Sequence, residues 1–266
     1  MNPESPQSAP PSDRVPERSL RRTLAQDVVI LMYHHCAAPP LGAPVPGLYV
    51  TREQFAWQMD WLMKQSVAFC TFADLEKPDA APGRKPRVLL TFDDGFRDVY
   101  ENAWPLLARR GIPAVVYPVV GDIGKSGVVW PENMDRSPQD LISLEQIREM
   151  AAEGIEFGSH LWEHRRANKM EPEELRSQLA RSFAGIAAIT GRETLSLAYP
   201  FGAYSLQVLE ETARAGYRYA VTTRKGSNRG APALELRRLS MRGTRFHHRW
   251  RFTHMLRRAL AAATQA

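Results

Sequence analysis

Short apolar runs alternate with helical patterns along most of this chain. Seven runs read as buried strands: DVVILMY (27–33), VAFCTF (67–72), RVLLTFD (87–93), PAVVYPV (113–119), GIEFGS (154–159), TLSLAY (194–199) and YRYAVTT (217–223). Most are continuous rather than alternating, as expected of strands covered on both faces. Between them lie amphipathic stretches with start and stop signals. Thr51 is placed to cap a helix reaching about Lys64. The stretch from Asp98 to Arg110 runs into Gly111 and Pro113, with Asp98 a possible cap. Ser143 precedes 144–152, Pro172 opens a helix to Thr190 ahead of Gly191, and Ser205 begins one that ends before Gly216. The repeated β-α order predicts an α/β fold with a parallel sheet, either an incomplete barrel or an open doubly wound sheet.

Residues 1–24 are rich in Pro, Ser and Arg and read as a disordered basic tail, so the domain is expected over 25–266. The far end, HHRWRFTHMLRRALAAATQA, reads as a basic helix. It suits either packing against the domain or contact with an anionic membrane.

Composition changes this picture little. The chain has 266 residues with 35 Lys+Arg against 29 Asp+Glu, a net charge of +6. That excess favours anionic partners but is too spread out to argue for nucleic acid. Cys36 and Cys70 form no CxxC motif and read as reduced thiols in or near the core. The first residues lack a secretory apolar run, and no stretch reaches transmembrane length. The expectation is a cytoplasmic protein, working at the inner membrane face if the basic segments engage lipid. Nothing in the pattern sets an oligomeric state.

Candidate chemistry gathers at predicted strand ends. In LLTFDDGFRD, four apolar residues run into Asp93 and Asp94, then Gly95. Two carboxylates at the end of a buried strand need compensation, and a metal ion is one form of it; a capping turn is the plainer reading. In GSHLWEH, His160 and His164 stand four apart, a spacing that puts both rings on one face of a helical turn. Asp94 with the two histidines makes three ligands and leaves room for water or substrate. Zn2+ suits that set best, with Co2+, Ni2+ or Fe2+ as further options. Tyr199, Pro200, Phe201 and Gly202 follow another strand and offer a rigid aromatic turn on which a sugar can stack. His34, in MYHH at the end of the first strand, is a further site candidate.

TFDDG, a downstream SHxxxH and a Pro-aromatic-Gly turn, in that order over about 27–245, resemble the polysaccharide deacetylases of carbohydrate esterase family 4. The opening MYHH followed by VTREQFAWQMDWL looks most like the branch acting on poly-N-acetylglucosamine. The resemblance implies a distorted, incomplete seven-stranded β/α barrel. It makes Asp93 the catalytic base, Asp94, His160 and His164 the ligands of a divalent metal, and an N-acetylated glycan or its lipid-linked precursor the substrate. The family's third motif usually reads Arg-x-Pro. Ala198 stands at the position of that Arg here, so the residue that orients the base is missing from its usual place. The late catalytic His also has no match, and the branch resemblance hands that role to His34. Two other readings fit the same residues: hydrolysis of another amide, as by a deformylase or deacylase, or a catalytically weak carbohydrate-binding fold.

Overall fold

The computed structural model describes residues 20–24, 27–77, 85–243 and 248–264. Eight strands and seven α-helices follow one another in β-α order. They are β1 Val28–Tyr33, α1 Arg52–Met63, β2 Ala68–Phe69, α2 Phe72–Leu75, β3 Arg87–Asp94, α3 Trp104–Arg110, β4 Val115–Pro118 and α4 Leu144–Ala152, then β5 Glu156–Phe157, α5 Pro172–Thr190, β6 Ser196–Ala198, α6 Leu206–Arg214, β7 Tyr219–Val221, β8 Leu239–Ser240 and α7 His248–Thr264.

All ladders between these strands are parallel. β3 is central: β1 runs along one edge of it from Val28↔Arg87 to Tyr33↔Phe92, while β2 and β4 share the other edge. The main sheet has the order β5-β4-β3-β1-β8, and β6 pairs with β7 in a second sheet. Single parallel bridges, Ser159↔Leu197 and Val221↔Leu236, link β5 to β6 and β7 to the segment before β8. All seven expected strands form, some of them shorter than expected. The eighth, Leu239–Ser240, was not foreseen because two ladder residues are too few to leave a pattern.

The apolar runs are continuous because buried side chains pack against both faces of the strands. Every residue of β1 is buried, as are Val88 to Asp94 of β3. The capping signals act as read. Thr51 and Ser143 each form a reciprocal capping box with a glutamine three residues on, and Ser205 accepts from Val208 N–H. Asp98 does not cap: Val99–Ala103 form a π turn ahead of α3, and the carboxylate turns elsewhere.

The packed chain begins before the expected boundary at residue 25. Leu24 N–H donates to the Ala231 carbonyl, the Arg22 carbonyl accepts from Ala233 N–H, and the Arg22 side chain pairs with Glu76. The rest of the expected tail lies outside the described residues. Cys36 and Cys70 are buried free thiols. Among the described residues no helix is long and apolar enough to cross a membrane.

Candidate metal centre and active site

Parallel strands deliver their C-terminal ends to one face of the sheet, where α/β folds gather reactive groups. Asp93 and Asp94 close β3. Asp94 has φ +73° and Gly95 φ +75°, and these two left-handed residues reverse the chain at once. A Cβ at Gly95 would lie 2.8 Å from Pro118 Cα on β4, so the turn needs glycine. The reversal allows both carboxylates to serve one pocket.

His160 and His164 meet Asp94 there. His160 Nε2 lies 3.2 Å from Asp94 Oδ1 and His164 Nε2 lies 3.3 Å from the same oxygen. One ligand atom of each residue falls within 4.8 Å of the other two, and all three residues are buried. The expected helical turn is absent. Residues 162–165 form bends, and Leu161 before them sits at φ +64° with its side chain fully buried. It is this left-handed kink, rather than a helix repeat, that brings the two imidazoles to one oxygen.

The donor set fits a divalent metal. His160 Nδ1 is 2.7 Å from the Ala198 carbonyl, which can only accept, so Nδ1 carries a proton and Nε2 is the ring atom turned to Asp94. A carboxylate oxygen facing two imidazole nitrogens at this range, with all three groups buried, is an arrangement that one divalent cation can satisfy. Burial pushes the Asp94 carboxyl up, but His160 and His164 outweigh it and hold it well below the usual carboxylate range. Burial lowers both histidines; the Asp94 and Asp93 charges reverse that for His160 but not for His164.

Asp93 has a partner that sequence reasoning missed. Arg238, fully buried just before β8, donates from Nη1 to Oδ1 at 2.6 Å and from Nη2 to Oδ2 at 2.7 Å. The same guanidinium donates to Thr91 Oγ1 and the Thr222 carbonyl. Burial pushes the Asp93 carboxyl up, but Arg238 overcomes this, with help from His160 and His34, and holds it below the ordinary value. Arg238 thus gives Asp93 an arginine contact that Ala198, buried in β6, does not offer. The signal was an arginine pair inside the apolar run LELRRLSM, where one member had to be buried.

His34 follows β1. Its Nδ1 is buried without a hydrogen-bond partner. Burial lowers its pKa, and the Asp94 and Asp93 carboxylates only partly offset this. The neighbouring His35 is structural. Its ring is stacked between Tyr49 and Phe96 at 4.0 and 3.6 Å, and its Nδ1 lies 2.6 Å from Asp98 Oδ2. Asp98 Oδ1 also accepts the Cys36 N–H, so this carboxylate clamps the loop behind His34.

Of the four residues of the aromatic turn, Phe201 lies against the centre. Its ring is 4.7 Å from His164, its φ is +60°, and the Arg166 guanidinium stands 4.2 Å over its face. Tyr199 is a correction: it is fully buried, stacks on Tyr204 and donates to the Leu234 carbonyl, which makes it a packing residue. Pro200 is buried as well, and Gly202 is held against Thr223. Trp130, from a loop with no motif, completes the wall. Its ring lies 4.5 Å from His164 and its Nε1–H donates to Asp122.

A family model described as polysaccharide deacetylase matches residues 80–220. The chain is 29% identical over 225 residues to YxkH of Bacillus subtilis (strain 168), named as a candidate polysaccharide deacetylase; the match covers 82% of this chain and 74% of that one. It is 27% identical over 182 residues to a poly-beta-1,6-N-acetyl-D-glucosamine N-deacetylase of Staphylococcus aureus (strain MRSA252). That match covers 64% of this chain and 59% of the relative, less than two thirds of it. Among solved structures, IcaB from Ammonifex degensii matches with a TM-score of 0.69 at 26% identity, over 86% of this chain and 96% of that one.

Proposed function

The chain belongs to the polysaccharide deacetylase family, and we propose that it hydrolyses the N-acetyl group of an amino sugar within a β-1,6-linked N-acetylglucosamine glycan or its precursor. The observation that carries this reading is the pairing of two adjacent carboxylates with different partners. Asp94 faces two imidazole nitrogens, while Asp93 is gripped by Arg238. One carboxylate is equipped to hold a cation and the other to remain an ionised base beside it. The substrate class follows the name of the Staphylococcus aureus relative.

A divalent metal, Zn2+ on ligand chemistry, would be held by Asp94, His160 and His164, where it supplies Lewis acidity toward an amide carbonyl and lowers the pKa of water. Asp93 accepts the proton of the attacking water, and its low pKa keeps it ionised at neutral pH. The new bond is C–O to the acetyl carbon, and the bond that breaks is C–N. His34 delivers the proton that lets the nitrogen leave as an amine. Its lowered pKa makes it a stronger acid, present as a smaller fraction. Phe201 and Trp130 supply apolar walls, and the products are acetate and an amine-bearing glycan.

The test is acetate release from β-1,6-linked N-acetylglucosamine oligomers by the purified chain with Zn2+ or Co2+, beside a His160→Ala variant. Acetate release that chelator and the variant both abolish is the expected result. Formate release from a formyl analogue with no acetate would reassign the acyl group. Absence of both turnover and bound metal would refute the reading.

A further inference from the structure

We infer that the outer face of α7 docks the protein on a bilayer containing anionic phospholipid. The helix buries one side of itself: Phe252, Leu256 and Leu260 are in the core, with Phe252 edge-on to Trp57 and Trp61 at 5.8 and 5.6 Å. The opposite side is left to solvent and carries Trp250, Arg251, His254, Arg257 and Arg258. Helical spacing sets Trp250, His254 and Arg257 in one row and Arg251 and Arg258 in the next. Among the described residues none of Arg251, Arg257 and Arg258 meets a carboxylate. The reason lies in the sequence, which contains no Asp or Glu from Leu239 to Ala266.

Charge and shape select the partner. The glycan product proposed above bears amines that are cationic at neutral pH, and an arginine face repels it. The partner is therefore anionic. Arginines alone would suit any polyanion, but this face also presents Trp250, with 65% of its surface exposed, at the start of the helix. A basic helix with a protruding tryptophan matches the boundary between lipid headgroups and acyl chains. Beneath the helix is a cavity of about 530 Å³ walled by Val28, Ile30, Leu239 and Met255 and bordered by Lys225, Arg258 and Asp27. A second cavity of about 270 Å³ joins Trp250 and Arg251 to Ser240 and Met241, at the C-terminal end of β8. That is the end of the sheet at which Asp93 and Asp94 stand.

The experiment is co-sedimentation of the full chain with vesicles of mixed phosphatidylglycerol and phosphatidylcholine, against phosphatidylcholine alone, at low and high salt. Binding to the anionic vesicles only, released by salt, is expected. Replacing Arg251, Arg257 and Arg258 together by Gln should weaken it on the order of 100-fold, at about fivefold per charge. Trp250→Ala should weaken it further. All of these positions are exposed, so both variants keep their circular dichroism spectrum and their acetate release from soluble oligomers. This separates failure here from failure of the deacetylase reading. No binding to anionic vesicles at low salt, equal binding to neutral ones, undiminished binding by the triple variant, or binding to heparin but not to vesicles would each overturn the inference.

Discussion

Replacing Arg238 by Met tests the electrostatic core of the site. The guanidinium makes two short hydrogen bonds to Asp93 and lies with it among buried groups. Methionine fills similar volume but leaves an uncompensated buried carboxylate. Breaking a buried pair in this way costs about 3–5 kcal/mol. At roughly 2–4 °C per kcal/mol for a domain of this size, the melting temperature falls by on the order of 10 °C. The pH dependence separates this cause from simple misfit. In the parent protein the folded Asp93 pKa is depressed, so its contribution to stability is present above the unfolded value near about 3.9 and is lost as pH falls through the folded pKa. In Arg238→Met, burial acts with less opposition and the Asp93 pKa rises. The penalty is then greatest at neutral pH and shrinks on acidification, where a protonated carboxyl is tolerated. Melting curves of both proteins in chelator across the acid-to-neutral range read this directly. In acetate release, the acidic limb of the rate profile moves to higher pH, and turnover drops by on the order of 10²–10⁴ as the base loses its alignment. Arg238→Lys, which keeps the charge but not the fork, falls between the two. A melting-point deficit that is the same at every pH, with an unmoved acidic limb, would refute the reasoning.

Two further outcomes follow from half-buried carboxylates outside the centre. Burial pushes the Glu156 carboxyl up to about 7; one oxygen accepts the Ala73 N–H and the other has no partner. Because the folded pKa is raised, the destabilisation appears as pH climbs from about 4.5 toward 7 and persists above it. Glu156→Gln should therefore raise stability at about pH 8 by roughly 1–3 kcal/mol, with little change at about pH 4; a loss of stability at the higher pH would contradict this. Asp98→Ala removes the acceptor of both His35 and the Cys36 N–H and should cost about 1–3 kcal/mol in denaturant unfolding. A double-mutant cycle with His35→Gln should be non-additive by more than about 0.5 kcal/mol, and strict additivity would refute the coupling of Asp98 to His35.

The strands and caps were legible because they rest on local patterns. A continuous apolar run such as VVILMY has no soluble alternative to burial, and Thr51 with Gln54 states a helix start in four letters. The metal set was legible because its residue types are rare together. Its mechanism of assembly was not, since the spacing of His160 and His164 suggested a helix where the chain uses a kink at Leu161. The partner of Asp93 was hidden for a different reason. Arg238 comes from the far end of the sheet, and its proximity follows from β8 joining β1 beside β3, a pairing only two residues long. Tyr199 misled because an aromatic residue at a strand end looks the same in sequence whether it faces substrate or core.

The distribution of backbone strain completes the case for a single site. Among the described residues four non-glycine positions have positive φ, and three of them are Asp94, Leu161 and Phe201. One belongs to the candidate metal set, one lies between the two histidines, and one packs on a histidine ring. Each left-handed conformation costs of order 1–3 kcal/mol, which a chain free to choose its loops would avoid. Strands ending in parallel point their last side chains along the sheet or away from it, and turning three of them toward a common point requires the backbone to leave its ordinary basins. The strain is sustained by what surrounds it. Val120 and Gly121 N–H groups donate to the Leu161 and Trp162 carbonyls at 3.0 and 2.8 Å, and the Leu161 side chain is fully buried. A glycine at 161 would relax the backbone yet lose that burial, so the left-handed leucine holds the histidine loop rigidly where a freer residue would let it drift. The same logic applies to Phe201, whose ring touches His164 only because its backbone turns the unusual way. Strain gathered at three separate strand ends, at Asp94, between the two histidines that face it and beside the His164 ring, fits a centre built to hold these side chains in place rather than turns that happen to adjoin.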